Sequence, residues 1–485
     1  MEDSVPLTGM TTRHIVILGN GITGTTVARH MRKCSDNRIT IVSGETDHPF
    51  SRPALMYVFM GDLTYEDSKL YPDDFWAKNR IERKRGWVDA IDTAAQRLTF
   101  KNGDSLAYDE LVLATGANSN KFGWPGQGLA GVQGLYSFQD LESMGKYATT
   151  TKRAVIVGGG LIGVEVAEML LTRGIAVSFL VRENAFWTVV LPCDEARLVG
   201  REIVRHGIDL RYETELKEIL SDERGRVRAI VTKAGEEIPC EMVFLTAGVS
   251  PNSGLAKASG IACDRGILVD PYFRTSAPHV WAGGDCAQHR EVPPGRRPIE
   301  QVWYTGKIHG EHIAANLCGE DRAYTPGVWF NSAKFFDIEY QTYGVVLPDP
   351  MDGEESFYWE HPVGDKSIRV NFRSDTGEVL GANVFGLRHR HAVWESWITG
   401  RTSVEVALAD LGAANFDPEF FRPYEPAIVA AFNARYPGHA VKLKTRKGLF
   451  SAAIGKLLGR PGTAAVPAAS SILTPSRQDA GAPKA

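Results

Sequence analysis

The sequence has no close cysteine pair, no long apolar run and little net charge, and each absence removes a class of protein. Its six cysteines are Cys34, Cys193, Cys240, Cys263, Cys286 and Cys318. None falls at the two-residue spacing of zinc sites and iron-sulfur clusters, and the same scatter argues against a disulfide framework. No metal site is expected. No run of about 18 apolar residues occurs, and the start, MEDSVPLTGMTTRH, lacks the basic flank and apolar core of a signal peptide. The cytoplasm is the expected compartment. A formal net charge of -4 argues against nucleic acid as a partner.

What is present is a chain of 485 residues, 43% hydrophobic, long enough for about three ordinary domains with real cores. Its charge is uneven, with eight Lys or Arg against one Asp from His439 onward. Near the start, HIVILGNGITGTTVAR (His14 to Arg29) reads as an apolar strand, a turn at Gly19, Gly21 and Gly24 enclosing Ile22 and Thr23, and a helix. In such a turn the glycines allow the bend, the approach of a pyrophosphate and close helix packing, while the helix N-terminus offers free N-H groups. A β-branched strand follows at Arg38 to Val42, and Glu45 beyond it stands where an acid accepts hydrogen bonds from an adenosine ribose. A solvated loop glutamate is the plainer alternative.

A glycine-rich turn by itself is weak, but this one recurs. Ala154 to Glu168, AVIVGGGLIGVEVAE, carries Gly158, Gly160 and Gly163 around Leu161 and Ile162, again as strand, turn and helix. Two such units more than a hundred residues apart predict two dinucleotides.

Together with Ala114-Thr115-Gly116, the turn LTAGVSPN from Leu245 to Asn252, and TSAPHVWAGGDCA from Thr275 to Ala287, these motifs resemble the pyridine nucleotide-disulfide oxidoreductase superfamily. Within it the likeness is to the ferredoxin, rubredoxin and nitrite reductase flavoproteins, over roughly Thr12 to Gly344. The resemblance implies FAD at Gly19, Gly21, Ile22, Thr23, Gly24, Glu45, Arg52, Val88, Ala114, Thr115, Gly116, Asp285 and Val302. It implies NADH or NADPH at Gly158, Gly160, Leu161, Ile162, Gly163, Arg182 and Gly248. The helix expected at Gln301 to Leu317 would aim its N-terminal dipole at the reduced flavin. Glu165 matches a glutamate kept near flavin and nicotinamide, and the lysine that often pairs with it is replaced here by Tyr57. These two are the candidate catalytic residues. A lone buried carboxylate is costly, so Glu165 must meet solvent and cofactor or carry a raised pKa. At the end of the second unit's second strand, Arg182 favours a 2′-phosphate and hence NADPH, whereas Glu183 opposes it.

The disulfide reductases of this superfamily carry two cysteines in the segment matching Phe50 to Tyr57, and this chain has none there. Electrons must then leave directly from flavin, which accepts a hydride and releases electrons singly. The expected function is an FAD-dependent NAD(P)H oxidoreductase with a protein acceptor, an iron-sulfur protein or similar. Two rivals stay open: reduction of a small molecule such as quinone or oxygen, and a redox-responsive interaction or scaffold subunit with little turnover.

The expected fold class is α/β, two Rossmann-like domains followed by a C-terminal α+β domain and a basic amphipathic tail. The expected boundaries are 12-124 and 251-324 for the FAD domain, 125-250 for the NAD(P)H domain, 325-438 for the third domain and 439-485 for the tail. In the third domain the alternating, aromatic Gly327 to Gly344 predicts antiparallel strands, with helices at His391 to Ile398 and Val404 to Leu411. The resemblance matches Trp329 and Phe330 to an aromatic pair near the flavin edge and implies a homodimer through this domain. Phe335 and Phe336 read as sheet core. Arg388 to His391 reads as solvated surface or an acceptor-docking patch, and the insert from Pro348 to Pro362 as docking surface. Lys442 to Arg460 predicts a basic amphipathic helix that lies on an anionic membrane at the inner face, docks on a partner, or packs on its own domain.

Overall fold

A computed structural model of the chain describes residues 12-293, 295-416 and 422-444. Five parallel strands form the first sheet, in the order Val280–Ala282, Glu110–Leu113, His14–Leu18, Arg38–Ser43, Ile81–Arg85. Strands covered on both faces need apolar residues throughout, and Ile15, Val16, Ile17 and Leu111 are all fully buried. A second parallel sheet repeats the pattern in the order Asp209–Arg211, Ala176–Leu180, Arg153–Val157, Met242–Leu245, Val132–Gln133. In both sheets the strand that leads into the glycine turn lies third. Both repeats also carry a three-stranded antiparallel meander, at 88-107 and 216-239.

The helices Ile22–Cys34 and Trp303–Leu317 lie side by side. Gly306 and Gly310 permit the approach, because a Cβ there would come within 2.9 Å of Thr23 Oγ1 and 2.7 Å of the Thr23 carbonyl oxygen. This packing overturns the expectation that the cysteines are unpaired. Cys34 ends the first helix and Cys318 caps the second, and they form a disulfide with Cα atoms 6.4 Å apart despite a sequence separation of 284. Sequence spacing has no bearing on a bond made where two packed helices end together.

The third sheet is antiparallel, in the order Phe330–Phe335, Ile338–Gly344, Val379–Phe385, Ser367–Arg373, Glu354–Glu360. Helices follow at His391–Thr399 and Val404–Ala409. Phe335 and Phe336 are core, 0% and 2% exposed. The insert at 348-362 is not simply a surface loop, since it contributes the edge strand Glu354–Glu360. Nor is Arg388 to His391 one solvated patch. Arg388 pairs with Glu339, and buried His389 accepts a hydrogen bond from Trp394 Nε1 at 3.1 Å. Burial lowers the His389 pKa to about 4, so it carries no charge at neutral pH.

Ion pairs join the third sheet to the helix Cys193–Arg205. Arg369 bonds Glu195 through Nε at 2.6 Å and Nη2 at 2.8 Å, and Nη2 also reaches Asp194 at 2.7 Å. A buried pair of this kind fixes geometry more than it adds stability. The body of the chain runs to Lys442. The helix expected at Lys442 to Arg460 lies almost wholly outside the described residues. Among those residues no helix is long and apolar enough to cross a membrane.

Candidate active site

The first glycine turn is held against the Ala114-Thr115-Gly116 motif. Gly19 has φ +118°, and a Cβ on it would lie 2.0 Å from the Ala114 carbonyl oxygen. A Cβ on Gly24 would lie 2.0 Å from the Gly19 carbonyl oxygen, which is how closely helix and turn pack. At Gly21, by contrast, a Cβ would meet nothing within 4 Å. Gly21 caps the helix without a side-chain hydrogen bond, so the first amides, at Ile22 and Thr23, have no side-chain cap and open space before them. That is a fitting cradle for a pyrophosphate. The Thr23 side chain itself is used in packing against the Gly284 and Gly306 backbone. Thr115 Oγ1 donates to the Asn252 carbonyl at 2.7 Å, joining the two turn motifs.

Three residues expected to act separately meet around a fourth. Arg52 grips Glu45 through Nη1 at 2.9 Å and Nη2 at 2.8 Å, donates to the Tyr136 carbonyl, and stacks its guanidinium 4.5 Å from the centre of the Tyr136 ring. Phe138 N-H donates to the same Glu45 carboxylate at 2.9 Å. The Tyr136 hydroxyl donates to Asp285 Oδ2 at 3.0 Å and accepts from Ala117 N-H at 2.9 Å, beside Gly116. Burial raises the Asp285 pKa against the pull of Tyr136 and Arg52. Tyr136 carried no motif in the sequence. Its one local signal is the capping box of Ser137 and Asp140, which places it at a helix entrance. Val88 opens the half-exposed strand Val88–Asp92 of the meander.

The second glycine turn opens a cleft of about 800 Å³. Gly158 to Ile162 and Gly248 line it together with Glu300, Gln301, Val302 and Trp329. Val302 is the N-cap of the Trp303–Leu317 helix. Gly163 lies one step deeper, where a Cβ would meet the Phe179 ring at 2.5 Å. At the mouth Arg182 is 70% exposed, and its guanidinium closes on Glu183 at 2.8 Å and 3.2 Å. Glu215 lines the same mouth.

Glu165 lies on the helix Leu161–Thr172, and burial, with Glu168 nearby, pushes its pKa up to about 7. Tyr57 packs as a half-buried member of the same core. A lysine is nevertheless present, from the third sheet. Lys334 Nζ donates to Glu168 Oε1 at 2.8 Å, and Tyr57 is among the groups acting on Lys334. Nothing in the local sequence around Lys334 signals this, because the contact spans 166 residues. The free cysteines are Cys193, Cys240, Cys263 and Cys286; Cys286 is fully buried, and its thiol pKa is raised by burial.

Known proteins share this architecture. The chain is 29% identical to a nitrite reductase [NAD(P)H] of Bacillus subtilis, over 77% of its own length and 46% of the relative's. It is 32% identical to the ferredoxin-NAD(+) reductase component of the biphenyl dioxygenase system of Paraburkholderia xenovorans, over 63% and 75% of the two lengths. Its fold matches the reductase in the crystal structure of the covalent putidaredoxin reductase-putidaredoxin complex with a TM-score of 0.73, 23% identity, and coverage of 88% of this chain and 100% of that one. With two repeated dinucleotide-binding units and a match to the family over residues 13-306, the chain belongs to the pyridine nucleotide-disulphide oxidoreductase family.

Proposed function

We propose that this chain oxidises NADH at a bound FAD and passes the electrons, one at a time, to a small iron-sulfur protein of the ferredoxin type. The observation that carries the reading is the cleft, which the second glycine turn lines together with Val302 and Gln301 at the head of the helix that follows the Gly284-Asp285 turn. Gly21, Ile22 and Thr23 would hold the FAD pyrophosphate, with Glu45, Arg52, Ala114 to Gly116 and Asp285 around the rest. When bound, FAD accepts a hydride from the nicotinamide and gives up electrons singly. The protein's part is positioning and exclusion of water, which needs no acid or nucleophile at the reacting atoms. Phe50 to Tyr57 contains no cysteine to divert the electrons. The ferredoxin-type acceptor is supported by the reductase component of the biphenyl dioxygenase system and by the putidaredoxin complex.

NADH is the better fit of the two nucleotides. Glu183 already takes up the Arg182 guanidinium, and Glu215 at the cleft mouth is likewise paired with Lys233 at 2.7 Å, so a 2′-phosphate would find no uncommitted cation in Arg182 and would have to displace Glu183. The test is anaerobic mixing of the FAD-loaded protein with either nucleotide. The flavin absorbance should bleach faster with NADH, and a ferredoxin should restore it. A protein that retains no FAD after reconstitution, or whose flavin neither nucleotide bleaches, overturns the reading.

A further inference from the structure

Behind the cleft wall lies a buried polar chain that neither glycine motif explains. It begins at the Gly284-Asp285 turn, where His309 Nδ1 accepts the Gly284 N-H at 3.1 Å. His309 is 1% exposed. With Nδ1 accepting, the proton of the neutral ring sits on Nε2. That atom is buried, has no hydrogen-bond partner, and points at Glu300 Oε2 from 3.8 Å. Glu300 is 3% exposed and is held by the Arg296 guanidinium through both oxygens and by the Tyr324 hydroxyl at 3.0 Å. Arg296 in turn donates to the Gly327 carbonyl at 3.2 Å and lies 4.9 Å from the centre of the Trp329 ring, in the cleft wall. His289 stacks on Tyr324 at 4.9 Å and seals the group from the other side.

Each contact narrows what this chain can be for. Burial opposes the charge on Glu300, yet the Arg296 guanidinium it pairs with helps hold its pKa down to about 2, so Arg296 has an anion to grip at neutral pH. Arg296 cannot shift without disturbing the ring it supports. The gap between His309 and Glu300 is the loose joint. Closing it to an ordinary hydrogen bond needs a movement of about 0.9 Å, and leaving it open leaves a buried donor unpaired. A small displacement of the turn or of the wall would close this joint.

We propose that His309, Glu300 and Arg296 are positioning residues that couple the Gly284-Asp285 turn to Trp329, so that the seating of the cofactor at the turn sets the aromatic wall against which the nicotinamide is placed. The inference rests on the cleft being the NAD(P)H site. None of the three donates or accepts a reacting proton. They act through Trp329, by making the wall rigid when the turn is occupied.

A double-mutant cycle on the FAD-loaded full chain decides it. The variants are His309→Asn, Trp329→Phe and the pair, with anaerobic flavin bleaching by NADH as the readout. His309→Asn keeps an acceptor near Gly284 and removes the donor aimed at Glu300. Each single change should slow bleaching, and raise the NADH concentration for half-maximal rate, by about tenfold, with the pair no worse than the worse single variant. Fold-effects that multiply in the pair would overturn the coupling. If His309→Asn fails to retain FAD, Tyr324→Phe, which removes one hydrogen bond from Glu300 and leaves His309 in place, replaces it in the cycle with the same two outcomes. A wild-type holoprotein that NADH does not bleach would instead remove the proposed function, a result separate from either outcome of the cycle.

Discussion

Lys334 and Glu168 meet at 2.8 Å across the joint between the third sheet and the helix of the second glycine turn, three residues beyond Glu165. A cation therefore does stand beside this helix, but it comes from the strand Phe330–Phe335 and not from the segment that holds Tyr57. The joint is part of the site's electrostatics as well as of its packing. Glu168 Oε2 is buried without a partner, so Lys334 is its principal compensation.

Replacing Lys334 with Met should destabilise the protein by about 1-2 kcal/mol, since it strips a largely buried carboxylate of its donor. The effect should exceed that of breaking an exposed pair such as Arg38 with Glu82, where about 0-1 kcal/mol is expected. Thermal unfolding of the two variants, Lys334→Met and Arg38→Met, makes the comparison. Equal shifts would show that the third sheet does not depend on this contact.

Glu165 carries the clearest pH dependence. Its pKa lies near 7 when folded, against 4.5 as the reference value, so between those values the folded form holds a proton that the unfolded form has lost. The contribution of Glu165 to stability therefore falls as pH rises from about 4.5 to 7 and is level outside that window. Glu165→Gln should remove this slope and gain on the order of 3 kcal/mol at pH 8, with no gain at pH 4. Unfolding of the FAD-free protein in urea at the two pH values measures it. A gain of the same size at both would assign the effect to packing.

Tyr136→Phe should leave the Asp285 carboxylate and the Ala117 amide each short of one partner. Weakening of FAD binding by about 1-3 kcal/mol, or roughly ten- to hundredfold, is expected. Fluorescence titration of the apoprotein with FAD reads the change. Unaltered affinity would separate the Tyr136-Asp285 contact from the cofactor site.

Glu183→Gln should free Arg182 and move the preference from NADH toward NADPH by about tenfold, the size expected for removing one charge at a partly exposed site. The ratio of kcat/KM for the two nucleotides is the measurement. Arg182→Ala should move little, because its charge is already committed to Glu183. A tenfold loss of NADPH use in Arg182→Ala would reverse this assignment.

The Cys34-Cys318 disulfide closes a loop of 284 residues and should contribute about 2-4 kcal/mol. Cys34→Ala should lower Tm, and a reductant should lower the wild-type Tm to the same value while leaving the variant unchanged. Intact-mass measurement of alkylated protein, with and without reductant, counts the thiols directly. Six alkylated cysteines without reductant would show that the bond does not form.

Much of the site was legible in local patterns because its parts are local. Gly19 to Gly24 and Gly158 to Gly163 each build their own strand-turn-helix, so their recurrence at the same spacing identifies them. Asp285, Val302 and Gly248 entered through the resemblance, as members of ordered motifs. Tyr136 and Lys334 escaped because each acts on a residue far away in the chain, and Arg296 and Glu300 because a charged residue in a loop has no period to mark it. The expectation about cysteine pairing failed for the same reason.

The sequence by itself determined the two strand-turn-helix units and the lack of a thiol in the segment from Phe50 to Tyr57, since glycine turns, buried parallel strands and missing residue types are properties of short stretches. Tertiary structure decided which distant charges face one another: Lys334 with Glu168, Arg369 with Glu195, and Arg13 with Glu110. An ionisable side chain takes its strength and its pKa from the few ångströms around it, and most of those neighbours are brought by the fold.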